Sequence, residues 1–373
     1  MIKIRGSQLL LFVDKFFLIF IFFNYLYLKF LRRRSNKTNI KNSNIAIVYP
    51  TAIGDIFLSS KLFTKILNNN SSNQIYIFCT THNFSINKII NLKFKNKIVF
   101  KKFNLFDPFS LSKLCKKNKI NLVINSVPWS NYLTFCFSLI SNRIKKHAYK
   151  NSLNFKNYLY DYVCVHSEIE HESSNLENLY YNKSITNNIF EINFKNNNLN
   201  DFFDIPSKYI LMHLTPGGRR KKDKSLPVNI QVNIIQYFIN KGFKILITGS
   251  KSDFYEIELL REKIKVPGCV NICGKYSLFG LMKIISSSEL VISIDSGILH
   301  YTSFLNVKIF SIHGPTSSKR FGPTNNNSLS YDQLPLEKTY IHTGIEKSKE
   351  FFSCLEKINF DDLITKINTI LFR

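Results

Sequence analysis

Acidic residues are scarce in this sequence: 25 Asp and Glu stand against 51 Lys and Arg in 373 residues, a formal net charge of 51 − 25 = +26. A balance of that sign favours anionic partners such as nucleic acid, an acidic membrane face or phosphorylated substrates. Lys, Asn, Ile and Phe are abundant throughout, however, so the cations belong to a general compositional bias and charge alone selects no partner. Paired cysteines are also missing. Cys79, Cys115, Cys136, Cys164, Cys269, Cys273 and Cys354 are odd in number and scattered, several of them inside apolar runs. That pattern fits reduced, buried thiols rather than a disulfide framework. Cys269 and Cys273 lack a second pair or a nearby His, so no metal site is expected. With 45% hydrophobic and 20% charged residues, global disorder, collagen and coiled coil are excluded. At about 150 residues per domain there is room for two domains and an appendage.

The chain also lacks a clean apolar run long enough to span a bilayer. Leu9 to Leu31 is dominated by Phe, Leu, Ile and Tyr and leads directly into Arg32, Arg33 and Arg34. No small-residue cleavage site follows, which argues against a signal peptide. Asp14 and Lys15 interrupt the run and leave Phe16–Leu28. Those residues, at about 1.5 Å each, reach roughly 20 Å against a hydrocarbon core of about 30 Å. Asp14, Lys15, Lys29, Arg32 and Arg33 share one arc of a helical wheel, together with Leu18, Phe22 and Tyr25. The expectation is a helix lying in the membrane interface through residues 9–34, its Arg cluster on anionic headgroups. A true span with the body held in the cytoplasm is the second reading, and a helix packed on the protein's own core is the third. Residues 1–43 are thus assigned as a membrane-associating helix and linker.

From Asn44 onward short apolar runs alternate with helical stretches. Runs at Ile45–Tyr49, Ile75–Phe78, Ile98–Phe100 and Leu122–Ile124 are separated by helical patterns at Asp55–Leu67, Pro108–Lys117 and Ser130–Leu139. Between about Asn151 and Asp204 the periodicity weakens and Asn accumulates, the mark of a peripheral segment ending in a linker. The alternation then restarts, with runs at Tyr209–Leu214, Phe243–Ile247, Val270–Ile272, Leu290–Ile294 and Val307–Ile312. Helical patterns lie at Val228–Asn240, Phe254–Ile264, Leu278–Ser286 and Ile298–Leu305, and an amphipathic stretch at Asp361–Leu371 closes the chain. The fold class is therefore α/β: two doubly wound parallel-sheet domains, residues 44–204 and 205–373, with a ligand cleft expected where the carboxyl ends of their strands face each other.

Three segments carry candidate chemistry. Pro50-Thr51-Ala52-Ile53-Gly54-Asp55 follows the first strand; Asp55 is either an N-cap or a carboxylate bordering the cleft, where a general base belongs. His213–Pro227 joins a strand, a Gly-containing cationic loop and a helix, an arrangement suited to phosphate, although a solvated basic loop is the plainer reading. The Walker spacing is absent there. Val291–His300 is a strand ending in Asp295-Ser296-Gly297, with His300 one turn into the next helix, so that helix N-terminal amides could meet an anion or a sugar hydroxyl. No G-x-S-x-G elbow accompanies Ser296 and His300, which disfavours a hydrolase. His313-Gly314-Pro315-Thr316 adds a further turn at a strand end.

Taken in order, these segments resemble the heptosyltransferase family, glycosyltransferase family nine, of GT-B fold. Thr51–Asp55 resembles its [ST]-x-I-G-D motif, and Asp223–Pro227 its D-K-x-W-P, with Leu226 where Trp is usual. Gly249–Asp253 approximates G-x-x-x-E, Gly274–Leu278 matches G-K-x-S-L, Asp295–His300 matches D-[ST]-G-x-x-H, and Gly314–Thr316 matches G-P-T. Cys354–Ile358 stands for C-M-x-x-I. The resemblance implies inverting transfer of a sugar, typically heptose from an ADP-sugar, to a lipopolysaccharide core acceptor at the cytoplasmic face of the inner membrane. It implies that Asp55 is the general base, with Thr51 and Gly54 beside the acceptor. Lys224 would neutralise the leaving diphosphate, assisted around Thr215 and Gly217. Asp253 would touch the nucleoside, and Asp295, Ser296, Gly297 and His300 would hold the sugar diphosphate. No D-x-D motif is present, which agrees with metal-independent transfer without a cofactor. The expected partners are a nucleotide-sugar donor, an anionic glycolipid acceptor and the membrane surface, and no nucleic acid. Open alternatives are another GT-B nucleotide-sugar enzyme such as an epimerase, a glycosyltransferase with a different donor, a basic nucleic-acid binder and an inactive membrane-associated homologue.

Overall fold

The computed structural model describes residues 6–31, 44–50, 53–69, 74–127, 130–181, 208–217, 221–264, 266–341 and 354–373. The chain divides into two compact units, Met1–Ser167 with Ser173–Phe190, and Glu168–Glu172 with Glu191–Arg373. The boundary expected between residues 204 and 205 lies outside the described residues, as does Thr51.

Unit 1 opens with helix α1 (Gly6–Leu31) and strand β1 (Asn44–Tyr49). There follow α2 (Ile53–Leu58), α3 (Ser60–Asn69), β2 (Ile75–Cys79), α4 (Thr81–Phe84), α5 (Asn87–Phe94) and β3 (Ile98–Lys102). The rest of the unit is α6 (Ser110–Lys117), β4 (Ile120–Asn125), α7 (Asn131–Ser138), β5 (Lys145–Tyr149), α8 (Asn154–Asn157), β6 (Tyr162–Cys164) and α9 (Glu172–Asn178). All six strands pair in parallel in the order β3-β2-β1-β4-β5-β6, with Ile47 opposite both Ile77 and Ile124. Strand β1 and residues 122–125 of β4 are buried on both faces, which is why Ile45–Tyr49 and Leu122–Ile124 read as apolar runs.

Unit 2 contains β7 (Tyr209–His213), α10 (Lys221–Lys224), α11 (Val228–Asn240), β8 (Lys244–Ile247), α12 (Phe254–Glu262) and β9 (Cys269–Asn271). It continues with α13 (Leu278–Ser286), β10 (Leu290–Ile294), α14 (Gly297–Phe304), β11 (Ile309–His313), α15 (Ser318–Phe321), β12 (Ser328–Asp332) and α16 (Phe360–Leu371). The sheet order is β12-β11-β10-β7-β8-β9, again all parallel. Counted from the first strand of each unit, both sheets have the Rossmann order 3-2-1-4-5-6. The doubly wound expectation holds for both units.

Three strands carry no clear apolar run in the sequence: β5 and the edge strand β12 because they hold polar residues, and β6 because it is only three residues long. The single helix expected over Asp55–Leu67 is two, jogged at Ser59. The Ser59 hydroxyl donates to the Asp55 carbonyl at 2.7 Å, a back-bond of the kind that bends helices. The segment from Asn151 supplies α8, β6 and α9 to unit 1 before leaving the described residues at 182.

Helix α1 follows the third sequence reading on one face. Ile21 and Leu28 are buried in the unit 1 core, Phe17 stacks on Phe135, and Asn24 donates to the Ser138 hydroxyl at 3.0 Å. The neighbours on that face are α7 and α8. Among the described residues no helix is long and apolar enough to cross a membrane.

Candidate active site

In a doubly wound sheet the crevice opens at the carboxyl ends of the two strands between which the chain order reverses. For unit 2 those strands are β7 and β10, and the two most specific sequence segments follow them directly. Lys224, from α10 beyond β7, places its ammonium 2.7 Å from Asp295 Oδ2, at the end of β10. His300, one turn into α14, brings Nε2 to 3.9 Å from the other carboxylate oxygen. Lys224, Asp295 and His300, chosen from sequence as donor ligands, therefore stand together.

Burial alone would raise the Asp295 carboxyl, but the Lys224 ammonium, with the His313 and His300 imidazoles, overrides it and holds the group well below the usual carboxylate range. Burial pushes His300 down to about 4 despite Asp295, so its ring is neutral near pH 7. His300 Nδ1 is buried without a partner among the described residues, and so is the Thr215 hydroxyl at the end of β7. Buried polar atoms in that state are costly, and at a strand end they mark positions where a ligand can supply the missing bond. Ser296 is the N-cap residue of α14; its hydroxyl lies 3.2 Å from that of Ser293 and makes no cap bond. Gly297 and Gly217 are exposed, and a Cβ on Gly217 would meet nothing within 4 Å.

Asp253 has a different setting. It accepts from the Ser250 amide at 2.8 Å, the Ser250 hydroxyl at 2.6 Å and Lys221 at 2.9 Å, closing a capping box after β8. Leu226, at the position where the resembled motif has Trp, is buried in the unit 2 core.

The sequence reading undervalued three groups. His313, at the end of β11, is fully buried; its Nε2 lies 3.0 Å from the Ser311 hydroxyl, and burial pushes its imidazole below the usual range against the pull of Asp295. His171 donates from Nε2 to the Gly322 carbonyl at 3.0 Å, and Glu172 pairs with the buried Arg320 guanidinium. A strand-end His was visible as part of the His313–Thr316 turn. The His171 and Glu172 contacts span about 150 residues and leave no local signal.

In unit 1 the switch point lies between β1 and β4, and Asp55 sits half-buried in the first turn of α2, just beyond β1. The turn leading to it is pinned through three successive carbonyls. Val48 O accepts from the Ser126 hydroxyl at 2.6 Å, Tyr49 O from the Asn83 amide at 3.3 Å, and Pro50 O from the Thr80 hydroxyl at 3.2 Å. Side chains that follow β2 (Thr80, and Asn83 in α4) and β4 (Ser126) thus satisfy these carbonyls. Gly54 is buried beside Asp55. Lys146 in β5 is buried, with its ammonium donating to the Ser141 carbonyl at 3.3 Å.

Residues 170–339 match the model of glycosyltransferase family 9 (heptosyltransferase). The chain carries a glycosyltransferase family 9 domain. Its lipooligosaccharide heptosyltransferase 2 relative from Haemophilus ducreyi is 25% identical over 166 residues, 43% of this chain and 47% of that protein. The match therefore spans about half the length of that curated relative. The family 9 protein from Veillonella parvula superposes with a TM-score of 0.69 at 14% identity, covering 90% of this chain and 99% of that one. The ADP-heptose LPS heptosyltransferase II structure from E. coli gives 0.69 at 14%, covering 88% and 98%. At these identities the likeness is one of fold, and it agrees with the expected GT-B class of two Rossmann-like units.

Proposed function

We propose that the protein is an inverting glycosyltransferase that moves heptose from ADP-heptose to a lipopolysaccharide core acceptor at the cytoplasmic face of the inner membrane. The observation that carries this reading is the Lys224–Asp295–His300 constellation at the switch point of unit 2, inside the stretch that matches family 9. A donor diphosphate needs cations and helix amides where its charge grows as the sugar leaves. Lys224 supplies the cation. The N-terminus of α14 at Ser296 and Gly297 supplies amides, and Thr215 and His300 each hold a buried polar atom ready for a bond. In unit 1, Asp55 removes the proton from the acceptor hydroxyl. The resulting oxygen attacks the anomeric carbon opposite the nucleoside diphosphate, so that the new C–O bond forms as the C–O bond to phosphate breaks and the configuration inverts. Thr51 and Gly54 flank the acceptor, Gly217 lets the loop backbone approach the phosphates, and Asp253 borders the nucleoside. Charge neutralisation by Lys224 and the helix amides lets the transfer run without metal.

The test is transfer from ADP-heptose, alongside UDP- and GDP-sugars, to a deacylated core acceptor, following nucleoside diphosphate release and product mass with and without chelator. Acceptor-dependent release with a gain of one heptose is the expected result. Asp55→Asn should lower it by about a thousandfold while donor binding survives, the scale of a lost general base. Binding and release absent with every donor would overturn the assignment.

A further inference from the structure

Helix α1 has a second face that unit 1 leaves uncovered. Phe16, Ile19, Phe20, Phe23, Leu26, Tyr27 and Phe30 recur at three- and four-residue steps and are all exposed, Phe23 at 64%, Tyr27 at 61% and Phe30 at 83%. Aromatic side chains carry about 150–250 Å² each. The stripe therefore offers several hundred square ångströms of contiguous apolar surface, at or above the roughly 300–600 Å² of the largest patch on an ordinary soluble monomer. The opposite face is fixed to the fold by Ile21, Leu28, the Phe17–Phe135 stack and the Asn24–Ser138 hydrogen bond. The stripe is thus a surface of unit 1 itself.

The charge around it identifies its occupant. From Lys15 to Gly54 the sequence holds Lys15, Lys29, Arg32, Arg33, Arg34, Lys37 and Lys41 and not one Asp or Glu. Lys15 and Lys29 are exposed at the two ends of the stripe. A second copy docked on this face would bring two strongly cationic segments together, each with only the neighbouring Asp14 to set against seven Lys and Arg. An anionic bilayer surface answers both halves of the pattern: its acyl boundary takes the aromatic stripe and its phosphates take the cations.

We infer that the outer face of α1 inserts into the interface of an anionic membrane, while its inner face serves as a structural layer of unit 1, so that the bilayer holds the unit rigidly rather than by a tether. The inference rests on the proposed membrane-glycolipid acceptor for its biological sense but not for its test. The full-length protein would be sedimented with sucrose-loaded vesicles of phosphatidylcholine, with and without phosphatidylglycerol, and sized in solution. Wild type should bind the anionic vesicles, and Phe23→Ser/Phe30→Ser should bind at least about tenfold more weakly with an unchanged melting temperature, the loss expected from two exposed anchors. Ile21→Ala should instead lower the melting temperature. Equal vesicle binding by wild type and Phe23→Ser/Phe30→Ser overturns the inference. So does a solution dimer that the double variant turns into a monomer with no vesicle bound by either. Transfer to a soluble, deacylated acceptor should be the same in both proteins, so a failure of the glycosyltransferase reading would show there and leave the vesicle result standing.

Discussion

At the scale of single residues, the site turns on one ion pair held in a poorly solvated place. Asp295 is buried and Lys224 mostly so. Removing one partner of such a pair leaves a charge with no counterpart and costs on the order of 3–5 kcal/mol, discounted here because Lys224 keeps some solvent contact. Lys224→Ala should therefore destabilise unit 2 as well as abolish transfer. Lys224→Ala/Asp295→Asn should regain most of the stability and none of the activity, as read by urea unfolding and the transfer assay. Single and double variants of equal stability would mean the pair does not matter to the fold. His147 in β5 provides a pH-dependent counterpart. Burial pushes it down to about 4, and its Nδ1 donates to the Leu179 carbonyl at 2.9 Å. As pH falls from 6.5 towards 4 the unfolded chain takes up a proton that the folded one refuses, so stability declines through that window. His147→Asn keeps a donor near Nδ1 and should flatten that decline by about one proton in the slope of unfolding free energy against pH. An unaltered slope would show that His147 is not its source. Of these residues, Lys224 and Asp295 were legible because each sits in a short motif at a strand end. His147 was not, since Lys145-Lys146-His147 in sequence has the look of a solvated basic face.

At the scale of elements, two motifs that are far apart in sequence explain one another. A Cβ on Gly314, after β11, would lie 2.6 Å from Leu355 Cγ and 3.0 Å from Cys354 Sγ. The short Cys354–Lys357 turn thus packs against a backbone that has to be glycine, and Cys354 and Leu355 are buried there in the unit 2 core. Gly314→Ala should cost about 1–3 kcal/mol through overpacking. Leu355→Ala should cost the stability of a lost core side chain, and the double variant less than the sum, as measured by melting temperature. Strict additivity would mean the two sites do not touch. The same logic governs what the sequence revealed of the fold. Central strands such as β1 and β10 are legible nearly to the residue because each is apolar but for a single residue, Asn44 in one and Ser293 in the other. Strand β12, Ser-Leu-Ser-Tyr-Asp at a sheet edge, was passed over because an edge strand does not need that pattern. Helix α1 is apolar nearly all the way round, so its sequence could not say which face meets the core; only the partners on α7 and α8 decide that.

At the scale of the whole molecule, one sheet order occurs twice, so the chain has two switch points, each a place where a doubly wound sheet can take a ligand. The two are unlike. The one in unit 2 sets the Lys224 ammonium against the Asp295 carboxylate, with buried polar atoms awaiting partners and a following helix that opens on Ser296-Gly297. The one in unit 1 is braced by three carbonyl contacts and presents a carboxylate. A nucleoside diphosphate carries negative charge and should choose the first. ADP held at about 100 times its Kd stabilises a binding-competent state by about 2.7 kcal/mol, enough to slow exchange of amides that open against it by roughly a hundredfold. Hydrogen exchange of the full chain should accordingly show protection on adding ADP at residues 213–217 and 295–300. The amides of residues 53–58 should be left as they were, because the carboxylate of Asp55 repels the same anion that Lys224 attracts. Protection centred instead on residues 53–58 would exchange the roles of the two units, and with them the assignment of Asp55 as the base.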